Sequence, residues 1–78
     1  DDWMLGRADA MARRVRKLAG DEPMAQVAAA WQIAFGHEPT DESRQSATSF
    51  LTRSPTEKTA LRDYCHVLLN ANAFVYVD

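Results

Sequence analysis

Three short breaks divide this chain into four stretches. They span residues 20–23, 36–40 and 54–56, and they hold all three prolines and two of the three glycines. Glycine commonly ends a helix and proline commonly opens or interrupts one, so each break is typical of a junction between helices. Thr40 and Thr56 are predicted to cap the helices that follow the second and third breaks. Between the breaks, apolar residues recur every three or four positions, as in amphipathic helices. The sequence therefore predicts an all-α fold, a small four-helix bundle with helices over about 2–19, 22–35, 41–52 and 57–71.

The apolar spacing also predicts which side chains form the core. The second helix is expected to be central and the third, which has the fewest apolar residues, to be the shortest. Trp31 and Cys65 are interpreted as core residues rather than as a ligand platform and a reactive thiol. The full set of predicted core residues is Met4, Ala8, Met11, Val15 and Leu18, then Met24, Val27, Ala28, Trp31, Ala34 and Phe35, then Ala47, Phe50 and Leu51, and finally Leu61, Tyr64, Cys65, Leu68 and Leu69.

The last residues of the chain are predicted to form an ordered, extended apolar tail over 73–78. Asparagine tolerates the left-handed conformation, so the fourth helix is expected to end near Asn70 and Asn72. The uncharged run that follows has high β propensity and would promote aggregation if exposed, so it is expected to pack on the bundle or on another chain. The candidate docking or tail-anchoring residues are Asn70, Asn72, Phe74 and Tyr76.

Charge and length limit the range of partners. The 78 residues make one small domain with a formal net charge of −2, which gives no overall attraction to nucleic acid or to an anionic membrane. No apolar run approaches the ~20 residues that span a bilayer, so membrane insertion is not expected. The basic residues from Arg13 to Lys17 are interpreted as a solvated helix end that complements the helix dipole. The alternative is a small nucleic-acid-binding helical domain that uses them.

No pattern of reactive side chains predicts catalysis. Cys65 and His66 are adjacent, but neighbouring residues on a helix point about 100° apart, so they do not form one metal or nucleophile site. The acidic pairs at Asp21 and Asp41 are explained by helix starts. We therefore predict no catalytic residues, no metal ligands and no cofactor, and we interpret the chain as a non-enzyme.

The closing run Leu68-Leu-Asn-Ala-Asn-Ala-Phe-Val-Tyr-Val-Asp78 resembles the C-terminal signature of a planctomycete-associated domain of unknown function. That domain accompanies cytochrome-c-like domains in large proteins. Two further blocks are similar to the family: Ala34-Phe-Gly-His-Glu-Pro-Thr40, and Asp1-Asp-Trp3 with Ala8, Ala12 and Val15. The chain departs from the family pattern at His37, where arginine is usual, and at Ser43, where a second acid is usual. It also departs near Leu61, where the family often has tryptophan, and at Ala73, where glutamate is usual.

The resemblance implies that these residues are the C-terminal subdomain of a larger protein of the bacterial periplasm or cell envelope, with haem held by other domains. The expected function is a non-catalytic structural or interaction module that closes the C-terminus of that protein. Its expected partners are upstream domains of the same polypeptide or another protein. The alternative is an accessory part of a redox-linked or polysaccharide-acting enzyme whose catalytic groups lie upstream.

Overall fold

The computed structural model describes the backbone of residues 2–53 and 57–75, and side chains within 3, 6–52 and 59–71. These residues form four α-helices, α1 (Asp2–Ala19), α2 (Pro23–Phe35), α3 (Asp41–Arg53) and α4 (Glu57–Val75). Both α2 and α4 contact each of the other three helices, while α1 and α3 pack on that central pair. The predicted all-α four-helix bundle is therefore confirmed, and α2 shares its central place with α4.

The junction between α1 and α2 follows the predicted stop and start signals. Gly20 has a φ of 72°, in the left-handed region, and its N–H donates to the carbonyl of Arg16 at 2.8 Å. Glu22 then caps α2, because its carboxylate accepts a hydrogen bond from the N–H of Ala25 at 2.8 Å. Pro23 occupies the first turn, where a missing N–H costs nothing. Three residues, 20–22, are therefore enough to connect α1 to α2.

The junction between α2 and α3 uses the same devices. Gly36 has a φ of 77° and donates its N–H to the carbonyl of Gln32 at 3.0 Å. At the start of α3, the Thr40 hydroxyl accepts the N–H of Ser43 at 3.1 Å, and the carbonyl of Thr40 accepts the N–H of Arg44. The predicted cap at Thr40 is confirmed. The predicted cap at Thr56 lies outside the described residues.

The core lies where α1, α2 and α4 meet and is made largely of small side chains. Leu61, Val15, Val27 and Cys65 are the largest fully buried ones. Tyr64 and Leu68 are also buried, and Trp31, Phe50 and Leu69 pack against this cluster while remaining partly exposed. The core predicted for α4 is confirmed, whereas the tryptophan lies at the edge of the core. Six of the buried residues are alanines, Ala8, Ala12, Ala30, Ala34, Ala47 and Ala60.

Two predicted core residues are exposed. Leu18 is 65% exposed and Met24 is 38% exposed. Three residues advance a helix by about 300°, so Leu18 lies about 60° from Val15 around the axis, whereas Ala19 lies about 40° from it and is partly buried. In α2 almost every side chain is apolar, so the spacing did not single out a face, and Ala30 and Gln26 are buried in preference to Met24. Gln26 is buried with its amide donating to the carbonyl of Gly20 at 2.7 Å. The side chain of Met4, also predicted to be in the core, lies outside the described residues.

The predicted end of the fourth helix was wrong. α4 continues through Asn70 and Asn72 to Val75, and no described residue other than glycine has a positive φ. Asparagine lowers helix propensity by less than about 1 kcal/mol, and the neighbouring alanines favour the helix, so nothing in this stretch requires it to end. Residues 73–75 are thus helical rather than part of an extended tail, and residues 76–78 lie outside the described residues.

The relative helix lengths also differ from the prediction. α3 has 13 residues, the same number as α2, so α3 is not the shortest helix. The difference arises because Glu22 caps α2 from outside rather than belonging to it, and because α3 extends to Arg53.

Alanine substitutions at two glycines test the helix boundaries, because they should change the free energy of unfolding in opposite directions. Replacing Gly36 by alanine places a Cβ in the left-handed region and should lower the free energy of unfolding by roughly 1 kcal/mol or more. Gly6 lies within α1, where a methyl group added at the Cα has open space around it, so Gly6→Ala should raise that free energy by roughly 0.5–1 kcal/mol. Urea denaturation followed by circular dichroism measures both; shifts of the same sign would contradict the assigned boundaries.

Candidate functional site

The sequence-predicted docking residues do not form one described site. Asn70 is exposed on α4. The backbone of Asn72 and Phe74 belongs to the same helix, but their side chains, and all of Tyr76, lie outside the described residues. A docking role for these four residues therefore stays a prediction. The predicted helix end at Asn70 and Asn72 and the predicted extended course at Phe74 are corrected, because α4 continues through all three residues.

A groove lies between α2, α3 and α4 and has a volume of about 500 Å³. Three aromatic residues line it, Trp31 from α2, Phe50 from α3 and Tyr64 from α4, and we call it the aromatic groove. Glu42 and Ser46 are lining residues that are exposed, so the groove opens to solvent along α3. It thus combines a partly apolar floor with a polar rim, which is the usual composition of a binding site.

A hydrogen bond fixes the floor of the aromatic groove. The indole Nε1–H of Trp31 donates to the hydroxyl oxygen of Tyr64 at 2.8 Å, joining α2 to α4. The ring of Phe50 lies 5.8 Å from that of Tyr64, tilted by 52°, within the range of favourable aromatic pairs. Burial raises the pKa of Tyr64, the Trp31 hydrogen bond opposes that rise, and nearby Cys65 adds to it. Tyr64 is therefore a neutral phenol, oriented by its neighbours.

Two further aromatic contacts hold the ring of Trp31 in place. Its ring lies 4.7 Å from Phe35 and 5.7 Å from His37, centroid to centroid. The left-handed turn at Gly36 returns His37 towards α2, where it stacks on Phe35 at 6.1 Å. His37 is also held by Nδ1, which lies 2.8 Å from the carbonyl oxygen of Glu38. Trp31 therefore has limited freedom to change its rotamer.

The charges on the rim of the aromatic groove are unbalanced. Among the described lining residues, Glu42 is the one that carries a formal charge. Arg44, two positions along α3, already pairs with Glu38 at 2.7 Å and with Asp41 at 3.3 Å. No ion pair joins Glu42 to another residue of the described ranges. The rim thus presents a carboxylate that forms no ion pair within the part of the chain that the structure describes.

Cys65 is part of the core, as predicted, and its environment opposes nucleophilic reactivity. The residue is fully buried, and this burial raises the pKa of the thiol from its ordinary 9.0 to about 12, although the charge of Arg16 acts in the opposite direction. A thiolate is the reactive form of cysteine, and it is scarce here near neutral pH. Within the described residues, no group of three or more His, Cys, Asp or Glu side chains is placed to hold a metal ion.

The basic residues of α1 lie away from the aromatic groove. Arg13, Arg14 and Lys17 are exposed, and Lys17 falls in the last turn, where it complements the helix dipole as predicted. Near the other end of the helix, the guanidinium of Arg7 lies 5.0 Å from the ring centre of the exposed Trp3. Of the helices in the described ranges, none is both long and apolar enough to cross a membrane.

The aromatic groove was not predicted from the sequence. Trp31 and Tyr64 are 33 positions apart, and both belong to stripes that also predict ordinary core packing. One local feature of the sequence could have indicated an aromatic cluster. Trp31, Phe35 and His37 lie close in sequence to Gly36, which ends α2, so three rings come together at that end of the helix. Comparison of the chain with protein-family models, curated proteins and solved structures finds no match.

The hydrogen bond between Trp31 and Tyr64 can be tested by a double-mutant cycle. Tyr64→Phe leaves the partly buried indole N–H without its partner, so it should lower the free energy of unfolding by roughly 1 kcal/mol. In a Trp31→Phe background the same change should cost clearly less, because no N–H remains to be satisfied. Urea denaturation of the four proteins gives the coupling; equal costs in both backgrounds would show that the bond does not stabilise the fold.

Buried Cys65 should make the fold less stable at alkaline pH. Between 9.0 and about 12 the unfolded chain loses the thiol proton while the folded chain keeps it, so the free energy of unfolding falls as the pH rises. Urea denaturation at about pH 8 and about pH 10.5 should show a smaller fall in the free energy of unfolding for Cys65→Ala than for the wild-type protein. Some fall should remain in the variant, because the pKa of Tyr64 is also raised. Ellman's reagent should not react with the thiol of the folded wild-type protein, and it should react once the protein is unfolded. An identical pH dependence in the two proteins would contradict the burial argument.

Proposed function

We propose that this chain is a non-catalytic interaction module that docks through the aromatic groove, closing the C-terminus of a larger bacterial envelope protein. The observation that supports the proposal is the groove itself, in which Trp31 and Tyr64 are fixed by a 2.8 Å hydrogen bond. Aromatic side chains held rigidly lose little entropy when a partner binds, and tryptophan and tyrosine are enriched among residues that dominate interfaces. The partner is an upstream domain of the same polypeptide or another protein.

A binding role agrees better with these side chains than a catalytic one. The thiol of Cys65 is buried with a raised pKa, and the hydroxyl of Tyr64 is a neutral phenol engaged with Trp31. The setting in a periplasmic or envelope protein rests on the resemblance of residues 68–78 to the planctomycete-associated domain.

One observation favours the alternative, an accessory part of a redox-linked or polysaccharide-acting enzyme. Hydroxyl groups of Thr40, Ser43 and Ser46 line the groove together with its aromatic rings. Sugars bind through this combination, since their apolar faces stack on rings while their hydroxyls exchange hydrogen bonds with side chains. Nucleic-acid binding has less support, because the exposed cations among the described side chains are on α1 and the groove carries a carboxylate.

Site-specific photocrosslinking tests the interaction module in the intact parent protein. The photoreactive residue p-benzoylphenylalanine is introduced at Ser46, which lines the groove, or at neighbouring Gln45, which is exposed outside it. We expect position 46 to crosslink to a defined segment of the same polypeptide or to one protein partner, identified by mass spectrometry, well above the yield from position 45. Equal yields from the two positions would contradict docking through the groove.

The same experiment separates the two candidates. A soluble polysaccharide that suppresses the crosslink from position 46, without affecting position 45, would favour the accessory role in an enzyme. A crosslink to protein that persists in its presence would favour the interaction module.

A further inference from the structure

We propose that the aromatic groove receives an arginine side chain of the docking partner, which places its guanidinium between the aromatic rings and Glu42. The inference rests on the proposed docking function and adds the chemistry of the group that enters. It is carried by the juxtaposition of three aromatic residues with a carboxylate that has no ion-pair partner in the described residues.

The charge of the groove selects a cation. Glu42 is the charged residue among the described lining side chains, and Glu38 and Asp41 lie close to it in sequence. Among the described residues, Arg44 is the one cation that pairs with any of these three carboxylates, and it is engaged by Glu38 and Asp41. The N-terminus of α3 contributes the equivalent of roughly half a positive charge, which does not offset the excess of carboxylate. An anionic ligand would therefore meet repulsion at this rim.

The aromatic rings favour a guanidinium over an ammonium. Arginine is planar and weakly hydrated, stacks on aromatic rings and pairs with a carboxylate through two parallel hydrogen bonds. Lysine presents a compact, strongly hydrated charge that loses more on leaving water. The chain already contains one such contact, since Arg7 lies 5.0 Å from the centre of the Trp3 ring. The aromatic groove offers rings of the same kind together with the carboxylate that Trp3 lacks.

The groove is large enough and open enough to admit an arginine side chain. About 500 Å³ accommodates the guanidinium and its methylene stem, with the partner's backbone left outside. Tyr64 is buried and Trp31 is half-buried, so the floor excludes water from one side of an entering cation. Cation–π attraction becomes stronger when the cation is partly desolvated in this way.

A titration followed by NMR tests the inference on the whole chain. The probe is Nα-acetyl-arginine methylamide, and its matched control is the citrulline analogue, which is nearly isosteric but uncharged. The indole Nε1–H signal of Trp31, assigned with a Trp3→Phe variant, should shift with a dissociation constant on the order of 10 mM at low salt. The citrulline analogue should bind at least about fivefold more weakly, because it lacks the charge.

Two variants locate the charge that is responsible. Glu42→Gln should weaken arginine binding about threefold or more, whereas Asp41→Asn, which removes an acid beside the groove that already pairs with Arg44, should leave it within about twofold. Both changes are on the surface, and circular dichroism confirms that the fold is kept. The inference would be overturned by equal binding of the arginine and citrulline probes, or by no shift at Trp31. It would also be overturned by equal effects of the two variants, or if Nα-acetyl-lysine methylamide bound more tightly than the arginine probe.

These failures are distinct from failure of the proposed function. The crosslink from position 46 depends on contact with a partner and not on charge. If that crosslink forms while arginine and citrulline bind equally, docking through the groove stands and the guanidinium inference falls. If position 46 gives no crosslink above position 45, the docking proposal itself is contradicted.

Discussion

The small side chains at the centre of the bundle are the constraint on which the other features depend. Six of the thirteen buried hydrophobic residues described are alanines, and they come from all four helices. Side chains of this size let helix backbones approach closely, because the distance between packed helices is set by the groups at the contact. Close approach of the helices leaves little room for rings at the centre. Tyr64 is buried, but Trp31, Phe35 and Phe50 lie at the periphery of the core, where they are only partly covered.

The aromatic groove follows from that arrangement. Trp31, on α2, cannot enter an alanine-rich centre, so it lies beside the core and needs a partner for its indole N–H. Tyr64 of α4 supplies the acceptor at 2.8 Å, and Phe50 of α3 packs on the tyrosine ring. A half-buried ring held by a hydrogen bond contributes stability on its inner side and leaves its outer side accessible. The same contacts that complete the fold thus produce a preformed concave surface.

The parts of this fold that were predictable from sequence are those that depend on local chemistry. Gly20, Gly36 and Thr40 act within one turn of the backbone, and each occupies its predicted position. The α4 face was also predictable, because its polar and apolar residues alternate with a clear helical period. Predictions that needed knowledge of neighbouring helices were less successful. Almost all side chains of α2 are apolar, so its sequence gives no local indication of which of them face the core. Met24 was predicted to be in the core for this reason, but it is exposed.

The C-terminal helix shows a different limit of sequence reasoning. Two asparagines in close succession are compatible with a helix end, but they do not require one. In contrast to glycine or proline, asparagine keeps its N–H and has only a modest preference against the helix, so surrounding alanines decide the outcome. The aromatic groove was missed for another reason. Its residues are distant in sequence, and only the packing of three helices brings them together.

The continuous course of α4 also connects the two regions that carry the functional argument. Val67 lines the aromatic groove, and Asn70 and Ala71, three and four positions later, are exposed in the next turn. Residues at this spacing lie on neighbouring positions of one helix face, so an exposed surface runs from the groove towards the closing block that resembles the planctomycete-associated domain. A partner that inserts a side chain into the aromatic groove would thereby reach Asn70 without crossing another helix. The aromatic groove and Asn70, the predicted docking residue, then lie on one surface, and α4 fixes their relative positions.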